Sequence, residues 1–213
     1  MGCGTGTWLR AALELGVSDV VGIDGVNLPE DRLLLPAEKF LCRNLTVPVD
    51  LKRRFDVGMC LEVAEHLEPE YGKILIEILT KHADTILFSA ACPGQPGQHH
   101  VNCQWPVYWQ ELFNHCGFVC SDKLRWQIWD DPTIEPWYRQ NLFSAMNNPA
   151  MAGKEPRIRA VVHPEINKKM VQQSSAIDFP DHVRKVEQGW MPLGWYATVP
   201  FRALTSKLVR RIP

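Results

Sequence analysis

Two groups of residues in this chain have types and spacing suited to chemistry. The first is the run GCGTG, with Gly2, Gly4 and Gly6, which leads straight into a helical stretch and is followed by Asp24 at the end of the next apolar run. Closely spaced glycines permit a tight turn and let a ligand approach the backbone at a helix start. A carboxylate about 20 residues further on accepts hydrogen bonds from ribose hydroxyls. A dinucleotide site would want G-x-G-x-x-G, but Thr7 stands at the last glycine position. Close approach of a pyrophosphate is then poorly supported. A cofactor with a ribose, a sulfonium and an amino acid but no phosphates, S-adenosylmethionine (SAM), fits better. The plainer alternative is that the glycines form only a turn and Asp24 only a solvated strand end.

The second group is Glu62, Glu65 and His66 in the run EVAEH, with His99 and His100 after the turn-rich PGQPGQ. Histidine is the usual proton acceptor near neutral pH, so His100 and His66 are candidate bases for an acceptor hydroxyl, His100 first. Each also reads as a loop residue without a catalytic part: His100 as a turn histidine, His66 as a capping or packing residue of the following helix. His99 is expected to be exposed. Glu62 and Glu65 flank this loop, and one or both read as solvated helix-start acids favoured by the helix dipole. A two-carboxylate metal site is conceivable, but no spaced acid cluster demands one, and no metal is expected.

The elements that must position these residues alternate. Residues 8–15 have helical composition and stop at Gly16. Residues 20–24 (VVGID), 38–42 and 55–60 (FDVGMC) are strand candidates, and 69–83 is an amphipathic helix with Ile74, Leu75, Ile78 and Leu79 on one side. Residues 85–91 (TILFSAA) are the clearest strand, 104–116 a helix, and 118–125 and 141–146 the last strand candidates. Strands alternating with helices predict an α/β fold, a Rossmann-like mostly parallel sheet with helices on both faces, and ligands at the C-terminal strand ends. The Asn-, Pro- and Gly-rich stretch 147–160 marks a boundary, dividing residues 1–147 from a basic, partly helical extension, 148–213.

On these motifs the sequence resembles the class I SAM-dependent methyltransferases across most of residues 1–146. GCGTG looks like their first motif, VGID like their second strand with its ribose-binding acid, and FLCRNL at 40–45 like the segment that contacts the adenine. FDVGMCLEVAEHL at 55–67 resembles their fourth strand and the loop after it. HVNCQWPVYWQELF at 100–113 is similar to small-molecule methyltransferases of the type 11, 12 and 23 kind. The resemblance implies SAM as cofactor, held by Gly2, Gly4, Gly6, Asp24, Asn44, Leu45 and Glu62, the last beside its methionine portion. Three positions depart from the pattern. Asn44 replaces the usual Asp, keeping an acceptor for the adenine amino group without the charge, and Cys103 stands where a glutamate is expected. The apolar strand that normally precedes the first motif is missing, so either the chain is N-terminally incomplete or another segment fills a central place in the sheet.

Composition agrees with a globular domain: 46% of the 213 residues are hydrophobic and 22% charged, which excludes a disordered or fibrous plan. With neither a transmembrane stretch nor a leader, the protein is expected to be cytoplasmic. Seven cysteines without a C-x-x-C pair indicate neither a disulfide framework nor structural zinc. The formal charge of −1 hides a division, since residues 1–138 carry 11 basic and 19 acidic side chains, and 139–213 carry 12 and 5. The basic part is expected to dock on the acidic part. Peripheral membrane contact through an amphipathic stretch at 201–212 is a second reading, and no nucleic-acid partner is expected. Nine aromatics crowd residues 105–138; those at 105–113 suit helix packing, while Trp126, Trp129 and Trp137 suit either a core or a platform for a sugar face. The expected activity is methyl transfer from SAM to a small-molecule or glycan acceptor, at oxygen. The alternative is a degenerate methyltransferase fold with a binding or scaffolding role.

Overall fold

Glycine and proline punctuate the chain. The computed structural model describes residues 1–176. Gly6, at a φ of 91°, turns the chain into α1 (Thr7–Glu14), which leads to the short strand β1 (Gly22–Asp24). After two 3-10 turns β1 is joined in parallel by β2 (Phe40–Cys42), from Gly22 beside Phe40 to Asp24 beside Cys42. A second sheet is built from β3 (Phe55–Leu61), β4 (Ala83–Ser89), β5 (Phe118–Ser121) and β6 (Phe143–Asn147). Between them lie α2 (Pro69–His82), α3 (Pro106–His115), α4 (Lys123–Ile128) and α5 (Pro136–Asn141). The last described helix is α6 (Pro164–Ala176). Proline opens α2, α3 and α5, where its missing N–H costs no helical bond.

The second sheet has the order β3-β4-β6-β5. β3 and β4 are parallel across the α2 crossover, while β6 is antiparallel to both β4 and β5. Three of its four strands therefore run one way. This is the α/β, mostly parallel, Rossmann-like architecture expected, with β6 as the reversed strand. One face of α2 supplies Leu75, Ile76, Ile78 and Leu79 to the core, all at most 3% exposed. Phe88 of β4 lies 5.3–5.4 Å, centroid to centroid, from Trp109, Phe113 and Phe143. Trp109 and Phe113 are buried as helix packing required.

The two sheets do not merge. Between β1 and β3, where the resemblance expects a strand, the first residues bridge the interval: Met1 N donates to Met59 O at 2.7 Å and Cys3 N to Ile23 O at 3.1 Å. These bonds tie the small sheet to the large one without a strand of their own.

Three expectations are corrected. The strand expected over 118–125 ends at Ser121, because Lys123–Ile128 coils into α4. The helix directs Arg125 inward, where it pairs with Asp122 and donates to Gln140 O at 3.1 Å. The strand expected from 141 begins at Phe143, Asn141 being the last residue of α5. The first compact unit extends to Met170 and not to 147. Glu155 Oε1 accepts hydrogen bonds from Gln110 Nε2 (3.0 Å), Asn114 Nδ2 (2.6 Å) and Cys120 N (3.1 Å). Ile158 N donates to Gln110 Oε1 and His163 N to Gln140 Oε1. A stretch that reads as a linker by composition is thus held by polar side chains. The amphipathic stretch at 201–212 and all the Lys and Arg residues beyond Lys169 lie outside the described residues. No described helix is long and apolar enough to cross a membrane, and all seven cysteines are free thiols.

Candidate functional site

Gly2, Gly4 and Gly6 take positive φ values of 61°, 51° and 91°, a conformation that side chains rarely adopt. The turn brings Gly4 N to 2.8 Å from Asp24 Oδ2, while Asp24 Oδ1 accepts from Val26 N at 2.9 Å. Each carboxylate oxygen keeps a lone pair for a further donor. A Cβ on Gly4 would meet nothing within 4 Å, so this part of the loop borders open space. A Cβ on Gly2 would lie 2.3 Å from Val63 Cγ2, which makes glycine necessary there and sets the loop against the segment after β3. Leu45 is buried and Asn44 exposed beside the end of β2. Asn44 Oδ1 already accepts from Thr46 N (2.9 Å) and Thr46 Oγ1 (2.8 Å). The acceptor expected to face an adenine amino group is engaged locally, and the Asn44 amide is left as a donor.

At the end of β3 the chain turns sharply. Glu62 has a φ of 54°, and its amide donates to Ser89 O at 3.0 Å and Ser89 Oγ at 3.1 Å, which pins the turn to the end of β4. A single 3-10 turn, Ala64–His66, then carries Glu65 and His66. The Glu65 carbonyl accepts from the amides of Val101 and Asn102 at 2.9 and 3.0 Å, drawing the loop after β4 over the turn. His66 and His100 consequently face each other, ring centroids 5.1 Å apart. His66 Nδ1 is 3.2 Å from His99 O, and His100 Nδ1 is 3.3 Å from Gln95 O. Carbonyl oxygens only accept, so Nδ1 carries a hydrogen in both rings, and in a neutral ring Nε2 is the bare nitrogen. Gly97 makes this fit, because a Cβ there would lie 2.1 Å from His100 Nε2. His99, exposed as expected, supplies only its carbonyl to this arrangement.

The carboxylates are held differently. Glu62 Oε2 accepts from Gln95 Nε2 at 3.0 Å, and Asn141 Nδ2 reaches Oε1 at 3.2 Å and Oε2 at 3.4 Å. Burial, and then the charge of Glu65, push the Glu62 carboxyl up to about 7 against these hydrogen bonds and that of Ser89. Glu65 is 0% exposed, and neither of its oxygens has a hydrogen-bond partner. Burial raises its pKa; the amides of Glu65 and Ala91 and the Glu62 carboxyl act in the opposite sense without reaching hydrogen-bond geometry. Burial lowers the pKa of His100, His66 adding to the effect and the Gln95 carbonyl opposing it.

One ligand atom each from Glu65, His66 and His100 lie within 4.8 Å of one another. This is a metal-competent cluster where the sequence predicted none. The 33 residues between His66 and His100 concealed it, since only the fold joins the two loops. The cavity they line, about 230 Å³, is completed by Glu62, Gln95, Pro96 and Trp137. A larger open depression of about 450 Å³, bordered by Arg10 and residues 33–36, contains no titratable cluster. Trp137 is thus at the site, with Lys169 Nζ 5.1 Å from its ring. Trp126 and Trp129 instead pack on each other, centroids 4.9 Å apart, and Trp129 on His163. Sequence reasoning missed Gln95, Gln140 and Asn141. Gln140 Nε2 donates to Gln95 Oε1 (3.2 Å) and Asn141 Nδ2 to the same oxygen (2.8 Å), a buried amide relay ending on Glu62. The adjacent polar pair Gln140–Asn141 between aromatic runs was the available signal.

No family model matches the chain, and no curated protein matches it. Among solved structures it is similar to the methyltransferase domain of bacterial CtHen1-C, at 14% identity, covering 69% of this chain and 87% of that one, with a TM-score of 0.49. It is also similar to magnesium protoporphyrin IX methyltransferase of Synechocystis PCC 6803, solved with SAM, at 19% identity, 69% and 67% coverage and a TM-score of 0.48. A third similar structure is an O-methyltransferase from a trans-AT polyketide synthase of Brevibacillus brevis, in complex with S-adenosyl-L-homocysteine (15%; 82% and 76%; TM-score 0.49). At these identities and TM-scores neither activity nor residue roles transfer.

Proposed function

We propose that this chain is a SAM-dependent methyltransferase that acts on a small-molecule or glycan acceptor, at oxygen. The observation that carries the reading is the contact of the glycine loop with the segment after β3. The Gly2–Val63 approach sets a loop bordering open space, with Asp24 at its base, beside the cavity of Glu62, Glu65, His66 and His100. The residues present fit the cofactor. Gly4 leaves room for close approach, and Asp24 retains lone pairs for ribose hydroxyls. Asn44 offers a donor and Glu62 a carboxylate for an ammonium group, while Leu45, named with them, is packed into the core. SAM, when bound, supplies a methyl on a sulfonium with an excellent leaving group. The chain's own residues then align the acceptor, exclude water and handle the acceptor's proton. The bare Nε2 atoms of His66 and His100 are the groups at the cavity suited to that proton, and the Trp137 ring offers a flat face to an acceptor.

Calorimetric titration of the full chain with SAM and with S-adenosyl-L-homocysteine tests the reading, with Asp24→Ala as the comparison. Both ligands are expected to bind, and the variant to lose about 1–3 kcal/mol of affinity through its charged hydrogen bonds. Unchanged affinity removes Asp24 from the site, and absence of binding sinks the proposal. A scaffold role without catalysis is the second reading. It draws on the interrupted sheet between β1 and β3 and on the engaged Asn44 oxygen, and it predicts binding of neither ligand.

A further inference from the structure

We propose that Asn141 and Gln140, both near the end of α5, are positioning residues: they set which way the buried amide relay runs and so aim the Glu62 carboxylate at the ammonium group of the cofactor. The assignment rests on the proposed function for the identity of that ligand.

The direction of a relay of side-chain amides is settled where it meets a group that can act in only one sense. Here that group is the backbone amide of His163, which donates to Gln140 Oε1 at 2.7 Å. Gln140 Nε2 must then face the other way, where it meets Cys92 Sγ at 2.9 Å, Asn141 Oδ1 at 3.1 Å and Gln95 Oε1 at 3.2 Å. With those two amide oxygens turned toward Gln140, the nitrogens of Asn141 and Gln95 are directed onto the carboxylate. Gln95 Nε2 reaches Glu62 Oε2 at 3.0 Å. Asn141 Nδ2 gives one hydrogen to Gln95 Oε1 at 2.8 Å and the other to the two oxygens of Glu62 at 3.2 and 3.4 Å. The relay begins on a backbone N–H and ends on a carboxylate, and its three amides are buried.

Neutral donors orient a carboxylate without cancelling its charge, whereas an Arg or Lys in the same place would leave little charge for a ligand. The buried cations on α4 and α5, Arg125 and Arg139, pair with Asp122 and Glu165 instead. Glu62 borders the cavity, and its neighbour Val63 touches the glycine loop. The oriented charge is thus available to an ammonium group entering beside that loop, and the amino-acid end of SAM carries one. Asp24 and Asn44, the residues proposed for the adenosine end, take no part in the relay.

The experiment is calorimetric titration of the full chain with two probes. S-adenosyl-L-homocysteine carries the ammonium group; 5′-methylthioadenosine has the same adenosine and thioether without the amino-acid end. Asn141→Leu, which keeps the volume and removes the donor, should weaken S-adenosyl-L-homocysteine by about tenfold or more and leave 5′-methylthioadenosine unchanged. Gln140→Met should act in the same sense through Asn141. In a Glu62→Gln background Asn141→Leu should have no further effect, since the group it positions is gone. A merely structural role would weaken both probes alike, and that result overturns the proposal, as does equal affinity of parent and variants for S-adenosyl-L-homocysteine. Where near-ultraviolet circular dichroism shows Asn141→Leu to be misfolded, Gln95→Met, in the loop that lines the cavity, removes the other donor and must produce the same split between the probes. A parent chain that binds neither probe ends the cofactor reading and this assignment with it, while a parent that binds both with no variant separating them ends the assignment alone.

Discussion

The glycine-loop side and the histidine side of the site meet at Gly2 and Val63, yet they stand in opposite electrostatic conditions. On the first, the side-chain acceptors already have partners: Asp24 accepts from two amides and Asn44 Oδ1 from both donors of Thr46. On the second, Glu65 is buried without one and Glu62 is held only by neutral amides and Ser89. The difference separates two kinds of preparation. A cradle for a neutral, hydrogen-bonding ligand portion is stable when empty. A buried carboxylate without a partner is an unmet charge that the surrounding fold must hold in place.

That contrast also divides the molecule by stability, and it can be broken from either side. The largest effect is expected at the aromatic centre of the large sheet: Phe88→Ala should cost about 3–5 kcal/mol in urea unfolding, since it leaves a cavity among Trp109, Phe113 and Phe143. A loss below that of a surface change would show that the large sheet does not carry the fold. Next is Glu65→Gln at mildly alkaline pH. Removing a buried charge that nothing pairs should raise stability by about 1 kcal/mol, and a strong destabilisation would mean that the carboxylate has a partner after all. In the small sheet, Ile23→Val is expected to cost about 0.5–1.5 kcal/mol within the same cooperative transition. A separate early transition in that variant would show that Met1 and Cys3 tie the two sheets too weakly to unfold them together.

The smallest effect is a pH dependence away from the site. Glu155 is pushed up by desolvation, but hydrogen bonds from Gln110, Asn114 and Cys120 N outweigh that and bring it down to about 2. A carboxyl whose pKa is lower folded than unfolded contributes stability above its unfolded value, about 4.3. That contribution is lost as pH falls from there toward about 2. Urea midpoints measured across this window should fall less steeply in Glu155→Gln than in the parent. Equal slopes would show that the 155–166 segment is held by its backbone contacts alone.

Local pattern made the elements around the site readable and left their junctions obscure. Apolar runs and Pro or Gly punctuation reveal α1, α2, β3, β4 and α3 because burial on one face imposes a period on the sequence. The ends of α4 and α5 escape that rule. Arg125, Gln140 and Asn141 are buried polar residues whose partners lie far along the chain, so they resemble solvated positions. Residues 148–170 escape it for the same reason: Glu155 and His163 are tied in by Gln110, Asn114 and Gln140, and no composition count reports such bonds.

What the sequence determined by itself is the glycine turn with its carboxylate. Positive φ at Gly2, Gly4 and Gly6, and a strand that ends in Asp24, follow from residue type and short spacing. Tertiary structure alone decided that Glu65 loses its exposure to solvent without gaining a hydrogen-bond partner, and that His66 and His100 come to share one cavity. The reason is physical. A turn is a local free-energy minimum of a few residues, whereas the condition of a charge depends on everything the fold brings around it, here two loops brought together by the pairing of β3 with β4 and by the bonds from Val101 and Asn102 to the Glu65 carbonyl.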